Sequence, residues 1–547
     1  MTKRTVCTQL LIGGIRVGVD SAEQEILNKA REKMKRAGIP TSTLHFRLYK
    51  KSVDARRRED IRFVCTVLAE GELPEKALAA TVLSRADAHI LKRETLAPVI
   101  GEHPLAYPPM VVGMGPAGLF AALLLARNGY APILIDRGAS VEDRVRDVAR
   151  FTAEGALDPD SNIQFGAGGA GTFSDGKLIT RIQDPYCSLV LETLVEFGAP
   201  KEILFKAKPH VGTDLLRGVV SAMLREIERL GGQLRYRCRL DDIVECADGL
   251  RAVTSQGDIP CGALILAPGH SARDTYRTLI RKSYAVEAKP FSVGVRVEHL
   301  QAEIDEALYG RLAGHPALGP AEYALSDTTG ERGVYTFCMC PGGEVVAAAS
   351  EEGGLVVNGM SHHARDGRNA NSAVAVSIRP EDIAPIEGSI PLGAIEYQRK
   401  IERAAFLAGG GDYRAPIMTM GDFLEGKRGT APQRILPTYR GGAVTPADFS
   451  AILPEYVLTT LRRGFLSFDR KLSGFACRDA VLTAPETRTS APLRILRDPS
   501  TLTGIGHSLV YPAGEGAGYA GGITSAAVDG LRSAMALMAA HAPKTPG

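Results

Sequence analysis

The stretch Pro109–Asp136, PMVVGMGPAGLFAALLLARNGYAPILID, constrains the fold more than any other part of this 547-residue chain. Met110–Val112 predicts a short buried strand, Ala117–Ala126 a helix, and Ile133–Ile135 a second strand that ends on an acid. Three glycines in a G-x-G-x-x-G pattern separate the first strand from the helix. A strand, a glycine turn, a helix, a strand and an acid in this order are typical of a unit that binds a dinucleotide.

Each part of this pattern has a physical role. The first glycine makes the strand-to-helix turn, the second lets backbone approach a pyrophosphate, and the third lets the helix pack closely on the strand. The helix N-terminus attracts the anion, and an acid about 20 residues on accepts hydrogen bonds from an adenosine ribose. The sequence therefore predicts that the dinucleotide contacts Gly113, Gly115, Pro116, Ala117, Gly118, Asp136 and Arg137.

The glycine pattern alone is a weak signal, because it recurs at Gly166–Gly171 (GAGGAG) and Gly516–Gly521 (GAGYAG). The turn-like residues Thr172–Lys177 (TFSDGK) follow the first repeat and predict no helix. After the second repeat too little chain remains for another strand–helix–strand unit. Neither repeat therefore predicts a second dinucleotide unit, and both glycine clusters need another explanation.

Composition and charge describe an ordinary globular protein. Hydrophobic residues make up 45% of the chain, and the net charge of +3 argues against a dedicated nucleic-acid binder. No apolar run approaches the roughly 20 residues that a membrane helix needs, and we identify no export signal. We expect a cytoplasmic protein with a small-molecule substrate, without a membrane partner and with nucleic acid disfavoured; the sequence leaves the oligomeric state open.

The nine cysteines form neither a disulfide framework nor a zinc site. Their scatter suits a reducing compartment, and we predict no metal site. Cys338 and Cys340 are the one close pair, and on a regular strand they would share a face. A disulfide across one residue is strained, so the pattern favours two buried thiols over a disulfide.

The chain divides into four predicted parts: residues 1–95, 96–280, 281–480 and 481–547. The first is a small α+β module with 19 Lys and Arg against 12 Asp and Glu. Its basic character indicates a solvated helix face or, alternatively, a docking surface for an acidic partner or RNA. The second part carries the dinucleotide unit, a further strand at Gln233–Leu240 and, within residues 243–260, a small antiparallel meander. The third part lacks the regular alternation of strands and helices, which resumes at Leu509.

The C-terminal turn within Tyr511–Ile523 (YPAGEGAGYAGGI) favours a flavin over a nicotinamide cofactor. Gly514 and Glu515 follow a strand, and an acid in that place can bind a ribityl hydroxyl. The helix that starts near Gly522 and Ile523 can hold negative charge at the N1/O2 edge of an isoalloxazine. An N-terminal dinucleotide unit, a meander and this C-terminal turn, in this order, resemble glutathione-reductase-like flavoproteins, and the resemblance implies FAD rather than NAD.

From Lys51 to Val528 the chain resembles the bacterial FAD-dependent, or NAD(FAD)-utilising, dehydrogenases of the glutathione-reductase-like flavoprotein superfamily. The resemblance lies in the motifs KSVDAR (51–56), NIQFGAGGAGTFSDGKL (162–178), KPHVGTD (208–214), GHSARDT (269–275), YTFCMCPGGEV (335–345), NGMSHHARDGRNANS (358–372), ETRTSAP (486–492) and YPAGEGAGYAGGI (511–523). It implies that a glycine-rich loop with Gly168, Gly169 and Ser174 approaches the cofactor, as does Gly269. Glutamate would be expected at Ala167 and at Asp136.

The predicted fold class is α/β. A Rossmann-like FAD-binding domain, with a parallel sheet and a β-meander, is interrupted by an inserted α+β substrate domain and preceded by a small N-terminal α+β domain. Lys177 is a candidate catalytic residue for stabilising an anionic reduced flavin or a substrate carboxylate, and His210 is a candidate proton donor. The alternatives are an exposed loop lysine and a structural histidine. His362, His363, Arg365, Arg488 and Arg494 stay open between binding an anionic substrate and a surface role.

The expected function is that of an FAD-dependent oxidoreductase that transfers a hydride between a small organic substrate and the flavin. No C-x-x-x-x-C follows the first dinucleotide unit, which disfavours a disulfide reductase of the glutathione type. NAD(P)H would bind transiently over the flavin, since no second nucleotide unit appears. The alternatives are a flavin-dependent monooxygenase or oxidase, and a non-catalytic flavoprotein whose N-terminal module docks RNA or protein.

Overall fold

The computed structural model describes residues 5–91 and 96–544, a mixed α/β structure that begins with a four-stranded antiparallel sheet. The elements of this first module are β1 (Thr5–Val17), α1 (Glu23–Arg36), β2 (Leu44–Asp54), β3 (Arg62–Pro74), α2 (Ala80–Arg85) and β4 (Ala88–Ile90), with strand order β2-β3-β1-β4. Helix α1 covers the sheet with Ile26, Ala30 and Met34, which recur every four residues and are buried. Several of the module's cations pair with its own acids, which fits a solvated surface.

A second group of elements forms the nucleotide-binding part of the molecule. It comprises β5 (Met110–Val112), α3 (Pro116–Arg127), β6 (Ile133–Ile135), α4 (Val141–Glu154), α5 (Tyr186–Glu196), α6 (Thr213–Arg229), β7 (Gln233–Arg235), β8 (Leu240–Cys246), β9 (Gly249–Thr254), β10 (Gly257–Cys261), β11 (Leu264–Leu266) and α7 (Arg273–Arg281). Strands β8, β9 and β10 form the antiparallel meander that the sequence predicts.

The third group begins with a short strand and builds the largest sheet. It comprises β12 (Val286–Ala288), β13 (Phe291–Leu300), α8 (Gln301–Tyr309), β14 (Ser326–Asp327), β15 (Val334–Cys340), β16 (Glu344–Ala347), β17 (Val357–Met360), β18 (Asn369–Ile378), α9 (Ile390–Gly409), β19 (Ala415–Thr419), α10 (Met420–Glu425), β20 (Val444–Pro446), α11 (Glu455–Lys471) and β21 (Val481–Glu486). The chain ends with β22 (Leu493–Ile495), β23 (Val510–Pro512) and α12 (Ile523–Ala540). Short 3-10 turns lie at Glu75–Leu78, Ala170–Phe173, Lys201–Leu204, Gly310–Leu312, Pro380–Asp382, Tyr439–Gly441 and Phe449–Ala451.

The nucleotide-binding part is organised by a five-stranded parallel sheet with the order β23-β11-β5-β6-β7. Strands β5, β6, β11 and β23 are buried along their whole length, which explains their continuous apolar sequences. Strand β23 comes from the end of the chain and pairs with β11, so two parts of the chain separated by more than 200 residues complete this sheet. All five strands end at the same edge, where ligands bind in sheets of this kind.

The intervening residues form a seven-stranded sheet with the order β14-β15-β18-β13-β21-β19-β20. Its pairs are antiparallel except β19 and β20. Strand β21 lies just beyond the boundary that we predict at residue 480, because its apolar residues complete this sheet rather than the nucleotide sheet. Strands β12 and β22 pair antiparallel where the chain enters and leaves this region.

One predicted strand is too long. We expect a strand over Gln233–Leu240, but β7 ends at Arg235 and β8 begins at Leu240. Arg237 adopts a positive φ of 51°, which turns the chain out of the parallel sheet and into the meander. Within the described residues, no helix combines the length and the apolar character needed to cross a membrane.

Candidate functional site: a cleft at the edge of the parallel sheet

A cleft of about 310 Å³ opens at the carboxyl edge of the parallel sheet. Its walls come from the glycine turn after β5, the loop of residues 164–179, the turn after β11, and the turn and helix that follow β23. The inserted region closes it with Phe337, Cys338, Asn358 and Glu486, and Arg488 and Thr489 follow directly. The cleft thus collects residues from four distant parts of the sequence.

The glycine turn after β5 has the close contacts that its sequence predicts. Gly113 has φ +99°, and a Cβ there would lie 2.1 Å from the carbonyl oxygen of Ala267. A Cβ on Gly118 would lie 1.8 Å from the carbonyl oxygen of Gly113, so helix α3 packs on the turn without space for a methyl group. Gly115, by contrast, faces the cleft, where a Cβ would meet only Gly169, at 3.8 Å. The first and third glycines are therefore required by packing, and the second leaves room for a ligand.

Asp136 lies at the end of β6, lines the cleft and is 7% exposed. Its Oδ2 accepts a hydrogen bond from the Met114 N–H at 2.8 Å, and its Oδ1 accepts one from the Gly138 N–H at 2.9 Å. The carboxylate therefore fixes the glycine turn. A carboxylate oxygen has two lone pairs, so each retains an acceptor site for a ribose hydroxyl.

A buried arginine holds the glycine-rich loop of residues 162–169 against the cleft. Arg144, on α4, is fully buried and donates to the carbonyl oxygens of Asn162, Ile163, Gly166, Ala167 and Gly169 at 2.8 to 3.2 Å. Burial lowers the pKa of its guanidinium to about 9, and the nearby Asp136 opposes this shift. The loop therefore needs one charged side chain to satisfy its inward-facing carbonyl groups, which explains the first glycine repeat without a second nucleotide unit.

The predicted loop residues divide into two groups. Gly169 and Ser174 line the cleft, and the Ser174 hydroxyl donates to the Gly171 carbonyl oxygen at 2.7 Å. Gly168, with φ +88°, does not line the cleft and leaves no space for a Cβ beside Thr172. Arg137 does not line it either, because its guanidinium pairs with Asp274 at 2.7 Å.

The C-terminal turn lines the cleft beside the start of α3. Gly514, Glu515, Gly522 and Ile523 all line it, as does Gly269 after β11. The Gly514 N–H donates to Oδ2 of Asp529, on α12, at 2.7 Å, and a Cβ on Gly514 would lie 2.7 Å from the Cβ of Ala117 on α3. Helix α12 therefore fixes the turn, and the N-termini of α12 and α3 both border the cleft. Free N–H groups at a helix start favour a negative ligand.

Glu515 is half-buried, and its carboxylate accepts no hydrogen bond from the residues that the structure describes. Burial raises the pKa of its carboxyl to about 7; Lys289 opposes the shift and Cys338 adds to it. A carboxylate that lines the cleft and has no protein donor fits a ligand hydroxyl. The two helix N-termini, the glycine faces and this acceptor together fit an extended dinucleotide.

Replacing Glu515 by Gln should stabilise the cofactor-free protein at pH 8 but leave it nearly unchanged at pH 4. A raised pKa means that the folded state binds the Glu515 proton more tightly than the unfolded state does. The resulting stability is present below pH 4.5 and is lost as the pH rises through about 7. We expect a gain on the order of 1–3 kcal/mol at pH 8 in urea unfolding. Glu287→Gln, at an exposed site, is the matched control, and an equal effect of Glu515→Gln at both pH values would contradict the assignment.

The two candidate catalytic residues are both engaged with the protein. Lys177 lines the cleft, but its Nζ pairs with Asp175 at 2.6 Å and donates to the Met339 carbonyl oxygen. Burial acts against its charge, yet Cys340, Asp175 and Cys338 outweigh burial and raise its pKa. It is thus neither an exposed loop lysine nor a free ammonium group.

His210 lies behind the cleft wall rather than on it. The ring of His210 is 7% exposed, and its Nε2 lies 3.1 Å from the carbonyl oxygen of His363, with the two rings stacked at 5.3 Å. Burial lowers its pKa to about 4, so it is neutral at pH 7. A neutral, stacked histidine away from the cleft favours the structural alternative.

Sequence patterns miss two buried ion networks that support the cleft. In the first, Arg296 on β13 pairs with Glu486 at 2.9 Å and donates to the Cys338 carbonyl oxygen at 3.2 Å. Both partners are nearly inaccessible. Glu486 lines the cleft, so this network anchors the inserted region's contribution to it.

The second network joins the nucleotide-binding part to the inserted region. Glu402, on α9, accepts from Arg273 at 2.7 and 2.8 Å, from Arg488 at 2.9 and 3.1 Å, and from the Thr487 hydroxyl at 2.7 Å. Arg273, at the start of α7, is 2% exposed and Glu402 is 1% exposed. Arg488 lines the cleft, so the carboxylate positions it there.

Two comparisons with known sequences bear on the site. Residues 290–489 match the family model described as "FAD-dependent protein, C-terminal domain-like", and residues 12–70 match a domain of unknown function. An uncharacterized protein of Clostridium beijerinckii is 46% identical over 513 residues, which are 93% of each chain.

Among solved structures, similarity extends over most of the chain at low scores. CtdE in complex with FAD covers 79% of this chain and 83% of its own, at 10% identity and a TM-score of 0.31. The match to the halogenase PltM covers 79% of this chain and 68% of PltM, at 12% identity and a TM-score of 0.37. The match to the amino acid oxidase NikD covers 80% of this chain and 97% of NikD, at 13% identity and a TM-score of 0.33. The family match and the cleft agree on the cofactor: this protein binds FAD.

Proposed function

We propose that this chain, which belongs to the same protein family as that Clostridium beijerinckii protein, is an oxidoreductase that transfers a hydride between a small organic substrate and its FAD. The observation that carries the proposal is a single continuous cleft. The glycine turn and Asp136 line it together with Glu515 and the start of α12, and side chains of the inserted region complete its wall.

Different residues of the cleft would bind different parts of the FAD. The start of α3 would hold the diphosphate and Asp136 the adenosine ribose, while Glu515 would accept a ribityl hydroxyl and the start of α12 would face the N1/O2 edge of the ring. FAD supplies the hydride chemistry, and the protein supplies position and electrostatics. Lys177 belongs to this proposal as a fixed positive charge near the ring end, held by Asp175.

The substrate would enter beside the inserted region. Phe337 and Ile179 line the cleft and are 37% and 48% exposed, which leaves apolar surface at its mouth. Asn358 and Arg488 add polar groups. An apolar mouth with a few polar side chains is typical of a site for a small organic molecule.

NAD(P)H would serve this enzyme only as a transiently bound reductant of the flavin. The described residues contain one parallel sheet with one glycine turn of the dinucleotide kind. NAD(P)H would therefore bind over the flavin or not at all. The division into four domains and a cytoplasmic location are part of the same proposal, and the nine free cysteines support the cytoplasmic location.

Purified protein should show a flavin absorbance spectrum that bleaches in an anaerobic titration with its reductant. Candidates are NADH, NADPH and panels of small amines, alcohols and hydroxy acids. Bleaching by one class names the reductant, and slow reoxidation by air would support a dehydrogenase. Rapid reoxidation with substrate turnover would favour an oxidase or monooxygenase, and protein without any flavin band would overturn the proposal.

A further inference from the structure

Cys338 and Cys340 stand where β15 departs from regular strand geometry. The pairing of β15 with β18 is interrupted between Phe337 and Cys340, and Cys338 adopts a left-handed φ of 45°. As a result the two cysteines are not equivalent, as they would be on a regular strand. Cys338 is partly exposed and lines the cleft, whereas Cys340 is fully buried beneath it. The expectation of two buried thiols is correct only for Cys340.

The irregular backbone is held by two buried cations. Arg296 donates to the Cys338 carbonyl oxygen at 3.2 Å, and the ammonium group of Lys177 donates to the Met339 carbonyl oxygen. Each cation is itself fixed by an acid, Glu486 and Asp175 respectively. A non-glycine residue kept in a strained conformation by its surroundings is a feature of functional sites.

The two thiols lie within reach of each other. The Cys340 Sγ lies 3.3 Å from the Cys338 carbonyl oxygen, and a thiol hydrogen bond from Cys340 to Cys338 is the main factor that lowers the pKa of Cys338. Residues two apart on an extended strand are roughly 6.8 Å apart between Cα atoms, near the upper limit for a disulfide. The interrupted pairing between Phe337 and Cys340 takes the two cysteines out of this regular geometry.

Charge also favours a thiolate on the cleft side. Lys177 and Arg296 both lower the pKa of Cys338, against burial and the like charge of Asp175, while the pKa of Cys340 is raised. Cys338 and Glu515 both line the cleft, and the charge of Cys338 raises the pKa of Glu515, so the sulfur lies in the same part of the cleft as the carboxylate that we assign to the flavin. A thiolate is the reactive form of cysteine, and a buried partner thiol next to it is a resolving group.

We propose that Cys338 and Cys340 form a redox-active dithiol that exchanges an electron pair with the bound flavin. In this step the Cys340 S–H bond breaks and one S–S bond forms between the Cys338 thiolate and the Cys340 sulfur. Two electrons and one proton pass to FAD, which becomes the anionic FADH⁻; the reverse step restores the thiolate and the thiol. A disulfide across a single residue is strained and therefore easily reduced, which suits an electron carrier better than a structural link.

The inference rests on the proposed function, because the flavin is the partner. An anaerobic dithionite titration of the holoenzyme, first oxidised by air, should consume four electrons per flavin, two for the flavin and two for the disulfide. Cys338→Ser and Cys340→Ser should each consume two. Cys246→Ser, at an exposed cysteine of the meander, is the matched control and should consume four.

A second measurement reads the sulfur atoms directly. Trypsin releases residues 333–365 as one peptide that contains no other cysteine. From the oxidised holoenzyme this peptide should lack two hydrogens and resist alkylation, and from the dithionite-reduced enzyme it should take up two alkyl groups. If the enzyme contains flavin but takes up only two electrons, and the peptide has two free thiols, the redox-active dithiol is contradicted while the proposed function stands. A protein without flavin would instead overturn the proposed function.

Discussion

Replacing Glu402 by Gln should lower the free energy of unfolding by about 3–5 kcal/mol, because it removes the buried carboxylate that Arg273 and Arg488 share and leaves Arg273 paired only with the partly exposed Glu351. Glutamine keeps the size of the side chain. Its amide, however, presents N–H groups to Arg273 and Arg488, which already donate five hydrogen bonds, with Thr487, to the carboxylate. Urea unfolding of the purified protein at pH 7 measures the loss.

Helix α9 also offers a matched control for this change. Glu396 pairs with Arg399 and Arg403 at 3.9 and 3.4 Å, and Arg403 is 62% exposed. Glu396→Gln should cost no more than about 1 kcal/mol, as surface ion pairs do. If both variants lost the same small amount, the buried network would not be what joins the two parts of the molecule. Because Arg488 lines the cleft, Glu402→Gln should also weaken FAD retention.

Replacing Gly115 by Val should reduce the affinity for FAD by about 100-fold or more, while the protein still folds. Gly115 has φ −75° and ψ −179°, which any residue can adopt, and a Cβ there has only an ordinary contact at 3.8 Å. The added methyl groups would occupy the space needed for a diphosphate at the start of α3. Two lost charge-assisted hydrogen bonds correspond to about 3 kcal/mol, hence the factor of roughly 100.

The measurement is the flavin content per protein after gel filtration, followed by titration of stripped protein with FAD. Gly218→Val is the matched control, since Gly218 lies on an exposed face of α6 with open space around it. Circular dichroism should show the same helix content for both variants. A Gly115→Val protein with a full complement of flavin would contradict the placement of the diphosphate.

Local sequence predicts the nucleotide turn well because its constraints are local. Strands β5 and β6 have the predicted bounds, and α3 begins one residue earlier, at Pro116. The close contact of Gly118 with Gly113 follows from the spacing of the glycines within a single turn, whereas the contact of Gly113 with Ala267 comes from the fold. Where one short segment contains all the partners, the pattern of residues determines the geometry.

The supporting charges could not be predicted in this way. Arg144 and Glu402 lie on amphipathic helices, where a charged residue predicts a solvent-facing side. Their partners, the loop of residues 162–169 and the pair Arg273 and Arg488, are distant in sequence or on other elements. Only the fold brings them together. Ion pairs between residues so distant in sequence produce no periodic pattern from which they could be predicted.

The position of Cys338 in the cleft could not be predicted from the sequence for a different reason. Alternation along a strand places it on the same face as Cys340, but the bulge and the positive φ at Cys338 break that alternation. Nothing in the letters YTFCMCPGG specifies the irregularity, because it is held by Arg296 and Lys177 from other elements.

The pairing of β12 with β22 has a consequence for how this architecture can diversify. The two strands lie side by side, antiparallel, with Val286 opposite Ile495 and Ala288 opposite Leu493. Everything between them therefore leaves the nucleotide-binding part and returns to it through one narrow stem. Loops of the inserted region can therefore lengthen, shorten or be exchanged without changing the strand order of the parallel sheet. New substrate pockets can evolve in this way beside an unchanged FAD-binding cleft.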